Sequence, residues 1–155
     1  MVEVNKIINK DEQFDLNRFI SAQENVYNCA LTELKSGSKR SHWMWFIFPQ
    51  LDGLGRSATA RRYAIKSIGE ARAYLNHPIL GKRLLECANT ILNVKGKSAL
   101  EIMGYPDDLK LKSSMTLFSC VTSDTIFASV LDKYFSGEQD HKTLQLLKKL
   151  KNTNE

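Results

Sequence analysis

Apolar residues recur at helical spacing through most of the chain, and no stretch keeps the alternation of a β-strand. The first periodic stretch begins after Asp15, a predicted N-cap, and ends at Gly37, which predicts one long helix. Residues 1–13 are polar and unpatterned, so we expect a flexible lead-in there. The pattern predicts a mainly α fold, with a single irregular multi-helix domain over residues 14–150.

Capping signals predict where the later helices begin. Ser57 should cap a short helix, and Ser67 with Glu70 three residues later has the spacing of a capping box. Pro78 suits the first position of a helix over residues 79–94. Four further helices are predicted, from Ser98, from Pro106, from Ser123 or Asp124, and from Asp140. A central loop rich in aromatic residues and glycine lies before Ser57.

Length and composition limit the class of protein. A chain of 155 residues suits one domain. Its longest apolar run, Trp43 to Pro49, is far shorter than the roughly 20 residues that span a bilayer. Residues 1–10 lack the apolar core of a signal peptide, so we expect a cytoplasmic protein with no membrane partner. Neither the pattern nor the composition indicates an oligomeric state.

The three cysteines are widely spaced and form no CxxC or Cys/His pair, which argues against disulfides and against a metal site. Each lies in an apolar helical pattern, so we expect reduced, buried thiols. They are Cys29, Cys87 and Cys120.

The net charge of +5 comes from one region of the chain. Between Lys35 and Arg72 there are eight basic residues and two acidic ones. Such a patch suits phosphate groups, first of a small molecule and with less support of a nucleic acid. The alternative is a solvated helix face.

The apolar run at residues 43–49, which we call the aromatic segment, offers ring faces on which a nucleobase could stack, chiefly those of Trp43 and Trp45. If the segment is extended, these two side chains point the same way, and if it is helical they diverge by about 200°. The alternative is that the rings form the centre of the core. His42 precedes the segment and is a candidate ligand-binding residue.

A glycine loop at residues 53–57 follows the aromatic segment and leads into a predicted helix. Glycines let backbone N–H groups approach an anion, which makes a phosphate site one interpretation and an ordinary capped loop the other. Arg61 and Arg62 are about 100° apart on a helix, so we expect only one of them to face such a site. The candidate ligand-binding residues here are Gly53, Gly55, Arg56, Ser57, Arg61 and Arg62.

Further candidates lie on predicted helices. Asp108, Lys110 and Ser113 or Ser114 could contact a ribose or a phosphate, although acidic residues at a helix start also complement the helix dipole. Glu70 and Asp108 are the candidate catalytic carboxylates, and Glu70 is equally well explained by capping. We expect a turn or capping role for His77.

Three blocks carry a resemblance to a known family: SHWMWFIFPQLDGLGRS at 41–57, EARAYLNHPILGKRL at 70–84 and PDDLKLKSSMTLF at 106–118. They resemble the signature blocks of the bacterial Domain of Unknown Function 1810 family, and the similarity extends over about residues 14–147. The resemblance implies a compact helical fold and assigns no reaction.

A looser similarity is to the NAD- and ADP-ribose-associated N-glycosidase family, whose pocket would correspond to residues 43–48, Glu70 and residues 112–118. Glu70 stands in EARAY instead of a glutamate-histidine context, and Lys112 lacks an adjacent phenylalanine. Our leading hypothesis is a domain that handles a nucleotide or ADP-ribose-type ligand, with N-glycosidase activity as its catalytic form. The alternative is a non-catalytic RNA- or protein-binding module, and no cofactor is expected.

Overall fold

Helices account for most of the computed structural model, which describes residues 9–152. In chain order they are α1 (Lys10–Gln13), α2 (Asn17–Gln23), α3 (Tyr27–Ser36), α4 (Met44–Ile47), α5 (Ala58–Arg62), α6 (Ile68–Asn76), α7 (Leu80–Leu92), α8 (Ala99–Met103), α9 (Asp107–Ser119), α10 (Ile126–Phe135) and α11 (His141–Asn152). No strand is present within this part of the chain; Leu51 and Ile65 form an isolated parallel β-bridge. The mainly α fold class is therefore confirmed.

The single long first helix is a wrong prediction. The chain turns over residues 24–26, and Gly37 ends α3 with a left-handed φ of 70°, as predicted. The buried amide of Gln23 donates to the carbonyl of Phe46 at 2.7 Å and to the hydroxyl of Tyr74 at 3.0 Å. The turn lets α2 pack on α4 while α3 packs on α7.

The start of the chain also differs from the pattern. Asp15 is not an N-cap, because its own φ is 50° and Leu16 takes the capping position without a side-chain bond. Residues 1–8 of the predicted lead-in lie outside the described residues, and residues 10–13 form α1.

Local capping chemistry is predicted well. The Ser57 hydroxyl accepts the Ala60 N–H at 3.0 Å, and Ser98 with Glu101 forms a complete capping box. Asp140 accepts the Thr143 N–H at 3.0 Å at the start of α11. At the next start the predicted Asp124 accepts the Ile126 N–H at 3.0 Å, although Thr125 holds the N-cap position.

The core centres on the two longest helices, α7 and α9, and α6 and α10 each pack against both. The middle of α9 is buried on every side. The Phe118 ring lies 5.6 Å from Tyr74 and 5.7 Å from Phe127, so rings from three helices meet there. Burial of each such side chain contributes roughly 1.5–3 kcal/mol.

The prediction of buried cysteines is wrong for two of the three. All are free thiols, but only Cys87 is buried, and Cys29 and Cys120 are exposed. In α3 the buried residues are Tyr27, Ala30 and Leu34, and Cys29 is not among them. Burial raises the pKa of the Cys87 thiol to about 12, which makes it unreactive at neutral pH.

Residues 9–152 contain neither a membrane-spanning helix nor a cluster of metal-ligand side chains. Their helices include none with the length and apolarity to cross a bilayer. Their His, Cys, Asp and Glu side chains form no group of three that could hold a metal ion.

Candidate functional site

A basic cleft of about 590 Å³ opens between residues 13–18 on one side and helices α5 and α6 on the other. Its lining residues are Gln13, Phe14, Asp15, Arg18, Ala58, Arg61, Arg62, Lys66 and Glu70. Three of the candidate residues from the sequence meet here: Glu70, Arg61 and Arg62.

Helix α5 turns one face to the basic cleft. Ala58, Arg61 and Arg62 follow the i, i+3, i+4 spacing of a single helix face. Both arginines line this cleft, whereas we expected only one of them to face an anion site at the glycine loop. Both side chains are exposed, and the Arg62 guanidinium lies 5.6 Å from the centre of the Tyr63 ring.

Arg18 holds the wall of the basic cleft together. Its guanidinium donates to the carbonyls of Arg62 at 2.8 Å and Ala64 at 2.9 Å, beside the C-terminal end of α5. It also donates to the backbone carbonyl of Phe14 at 2.6 Å and forms a salt bridge of 2.6 Å with the Glu70 carboxylate. Carbonyls at a helix end lack intrahelical partners, so a buried cation there satisfies them.

Glu70 lies under the cleft and is engaged on both oxygens. Oε1 accepts the Lys66 N–H at 2.8 Å and Oε2 accepts from Arg18, and the side chain is 2% exposed. The Ser67 hydroxyl caps α6 by accepting the Glu70 N–H at 3.0 Å. The carboxylate bonds one residue earlier than a capping box requires. This geometry makes Glu70 a positioning residue for Arg18.

The free charge of the basic cleft is positive. Since Arg18 and Glu70 compensate each other, the remaining cations are Arg61, Arg62 and Lys66, against the single carboxylate of Asp15. The Lys66 ammonium donates to the Arg61 carbonyl at 2.8 Å and lies 4.0 Å from the Asp52 carboxylate, and its side chain is still half exposed. Such a cleft attracts an anion.

The glycine loop beside this cleft is closed by the Leu51–Ile65 bridge. The Asp52 N–H donates to the Ile65 carbonyl, and the Ile65 N–H donates to the Gln50 carbonyl, both at 2.8 Å. We refer to residues 51–65 as the bridged loop. The bridge fixes where α5 leaves and re-enters the fold.

Packing explains both glycines of the bridged loop. Gly53 has a φ of 106°, and a Cβ there would meet the Leu146 side chain at 3.3 Å. A Cβ on Gly55 would lie 2.5 Å from the Ala60 Cβ. Arg56 and Ser57 are exposed and lie outside the lining of the basic cleft. These contacts account for the loop sequence without a ligand.

The aromatic segment is helical at its centre, so the two tryptophans diverge. Trp43 is 1% exposed in the core, whereas Trp45 is half-buried. The Lys110 ammonium lies 5.4 Å from the Trp45 ring centre and 3.7 Å from the Asp107 carboxylate. Trp45 and Lys110 are thus brought together, away from the lining of the basic cleft.

Glu33 anchors the start of the aromatic segment, a role that the sequence did not suggest. Its carboxylate accepts from Trp43 Nε1 at 2.8 Å, from the Arg40 N–H at 2.8 Å and from the Ser41 N–H and hydroxyl. Burial raises the Glu33 pKa, but the hydrogen bonds outweigh it and lower the pKa to about 2. Glu33 also lines an α3 cleft of about 520 Å³ with Cys29 and Arg40.

The other candidates are placed apart from the basic cleft. Asp108 is half-buried, with its Oδ1 buried and unpartnered within the described residues. Ser113 is buried, and its hydroxyl donates to the Leu109 carbonyl of its own helix. His42 is exposed. His77 has the expected capping role, because its Nδ1 accepts the N–H groups of Ile79 and Leu80.

Comparison with known proteins gives one family. The family model described as "Protein of unknown function (DUF1810)" matches residues 13–147. The chain belongs to the DUF1810 family. A solved structure similar to this DUF1810 chain is that of the conserved hypothetical protein Rv1873 from Mycobacterium tuberculosis. The two are 53% identical with a TM-score of 0.86, over 87% of this chain and 97% of that one.

The comparison with curated proteins gives no match. The looser similarity to the N-glycosidase family has no counterpart among the matches of this DUF1810 chain. Every residue that lines the basic cleft, from Gln13 to Glu70, lies within the range that the family model covers.

Proposed function

We propose that the basic cleft binds the phosphate of a nucleotide-type ligand. The observation that carries the proposal is the placement of Arg61, Arg62 and Lys66 around one concave surface. Of the two carboxylates that line it, Glu70 is paired with Arg18, which leaves Asp15. Guanidinium groups bind phosphate oxygens in a forked geometry, and each charge-assisted bond contributes roughly 1.5–3 kcal/mol.

Hydrogen bonds hold the wall of the basic cleft in place, which favours a binding site over a mobile surface patch. Arg18 and Lys66 both donate to carbonyls at the end of α5, so the helix that carries the two arginines is held at its C-terminal end. Phe14 on the opposite wall offers a half-buried ring beside the anion site. A ring face next to a phosphate site suits a base and its phosphate.

Binding without catalysis is the form of the proposal that the geometry supports best. Breaking an N-glycosidic bond requires a carboxylate that can approach the ribose. Both oxygens of Glu70 accept protein hydrogen bonds, and Asp108 does not line the basic cleft. N-glycosidase activity remains a second hypothesis, tested by incubation with NAD and ADP-ribose and chromatography of the products.

Thermal unfolding with added ligand tests the proposal. Inorganic phosphate, AMP, ADP and ADP-ribose are the probes, and a ligand at 100 times its dissociation constant adds roughly 2.7 kcal/mol of stability. We expect ADP to raise the melting temperature, and the variant R61A/R62A to lose that rise while melting as the wild type does without ligand.

The matched control is Arg40→Ala, which removes an exposed arginine from the α3 cleft instead. It should keep the full response to ADP. No response of the wild type to any probe would overturn the proposal, as would an equal loss in R40A and R61A/R62A.

A further inference from the structure

Two more clefts adjoin the basic cleft. An α11 cleft of about 190 Å³ lies between the bridged loop and α11, and Lys66 lines both it and the basic cleft. Lys149 of α11 stands on its far side. One lysine therefore connects the two recesses, and a chain that left the basic cleft past Lys66 would meet Lys149 next.

An α6 cleft of about 460 Å³ is lined by residues of α1 and α6, among them Lys10 and Arg72. Helix α1 borders both clefts, because Asp11, which lies 3.3 Å from His77, lines the α6 cleft while Gln13 lines the basic cleft. Lys66 lies two residues before α6 and Arg72 lies within it, so this helix carries basic side chains from one cleft to the next. The three clefts thus follow one another across the surface.

Basic residues outnumber acidic ones along this path. The exposed cations are Lys10, Arg61, Arg62, Lys66, Arg72 and Lys149, and the carboxylates are Asp11, Asp15 and Asp52. Six positive charges therefore face three negative ones. Helix α11 adds three further lysines and contains no acidic residue.

We propose that the path binds single-stranded nucleic acid, with one phosphate in the basic cleft and neighbouring phosphates in the α6 and α11 clefts. The inference rests on the proposed function and names its ligand as a polymer of nucleotides. Regularly spaced phosphates complement a row of separate cationic recesses. A single strand also exposes its base faces, which suits the aromatic Phe14 in the lining of the basic cleft.

The surface fits other polyanions less well. A duplex keeps its bases stacked, so Phe14 would have no ring to contact. Binding flat on a membrane requires apolar side chains next to the basic ones. Three exposed apolar residues lie on α8, on α9 and on the connector between these helices: Leu100, Leu109 and Tyr105. None of them lines any of the three clefts.

Fluorescence anisotropy with labelled oligouridine of one, four and eight nucleotides tests the inference. We expect the octamer to bind at least tenfold more tightly than the mononucleotide. The logarithm of its affinity should fall with the logarithm of salt concentration by about 0.7 for each phosphate contacted, and thus by about 2 for three phosphates.

Variants outside the basic cleft sharpen the test. K149A and R72A should each weaken octamer binding about threefold or more, reduce the salt slope by about 0.7 and leave mononucleotide binding unchanged. Lys35→Ala is the control, since Lys35 is exposed at the end of α3 and lines none of the three clefts.

The outcomes separate this inference from the proposed function. If the mononucleotide binds as tightly as the octamer, the polymer path is wrong and the phosphate site stands. If neither binds, both fail. An equal effect of K35A and K149A, tighter binding of duplex RNA, or binding only to vesicles of anionic lipid would each overturn the single-strand path.

Discussion

The aromatic segment and the bridged loop adjoin one another in the chain, and both carry residues that suggested ligand binding. The structure uses them differently. The aromatic segment turns Trp43 into the core, where Glu33 satisfies its N–H. The bridged loop instead projects α5 outward, with Arg61 and Arg62 on a concave surface.

The difference shows how well a run of aromatic residues and a group of exposed arginines each indicate a ligand site. A dense run of rings is explained by burial, which is the dominant stabilising term of a fold. Exposed arginines on one helix face gain little from packing, and their charge is available for a ligand. The supported cations are therefore better evidence for a site here than the tryptophans.

The largest effect should come from Trp43. Its replacement by alanine leaves a core cavity and should lower the free energy of unfolding by roughly 3–5 kcal/mol. Trp45→Ala should lower the free energy of unfolding by less than half of that amount, because the Trp45 side chain is only half-buried. Urea denaturation of both variants measures the difference. Equal losses would contradict the assignment of only Trp43 to the core.

The Arg18–Glu70 pair supports the basic cleft in the same way that Glu33 supports Trp43. Arg18→Met leaves a buried carboxylate without its cation and should cost roughly 3 kcal/mol or more. The double variant R18M/E70L removes both charges and should be more stable than R18M alone. If the double variant is the less stable of the two, the pair does not act as a buried ion pair.

Gly55 tests whether packing explains the bridged loop. Gly55→Ala would place a Cβ 2.5 Å from the Ala60 Cβ and should cost roughly 1–3 kcal/mol. Adding Ala60→Gly removes the opposing atom and should recover part of that loss, as chemical denaturation would measure. A tolerated Gly55→Ala would refute the close approach.

Glu33 should give the smallest effect at neutral pH, with a distinctive pH dependence. Glu33→Gln should cost roughly 1 kcal/mol at pH 7. The folded-state pKa is lowered from 4.5 to about 2, so the stabilisation is fully present above pH 4.5 and is lost as the pH falls to about 2. The stability difference between wild type and variant should therefore shrink over that window. A difference that grows toward pH 2 would contradict the anchor.

Much of the helical pattern was predictable because helix ends depend on local chemistry. Ser57, Ser98 and Asp140 cap helices through the N–H of the residue three positions later. The turn after Gln23 was not predictable, because no glycine or proline marks it. It depends on hydrogen bonds that the Gln23 side-chain amide donates to the Phe46 carbonyl and the Tyr74 hydroxyl, which come from distant parts of the chain.

In the candidate site too, residues with a local signal were predictable from the sequence, and residues that depend on distant contacts were not. Arg61 and Arg62 were identified from their charge and from the loop before them. Arg18 was missed, because its partners Arg62 and Glu70 are 44 and 52 residues away. Nothing in a helical pattern shows which of its charged residues will meet a distant element.

The central claim is that the basic cleft holds a phosphate, and mapping ADP binding by NMR tests it most directly. In a titration of the ¹⁵N-labelled protein, we predict amide shift changes in residues 13–18 and 58–66, with residues 28–40 of the α3 cleft unchanged. The R61A/R62A variant should lose these changes. Saturable changes that map to the α3 cleft or to Trp45 and Lys110, or none at all, would contradict the account.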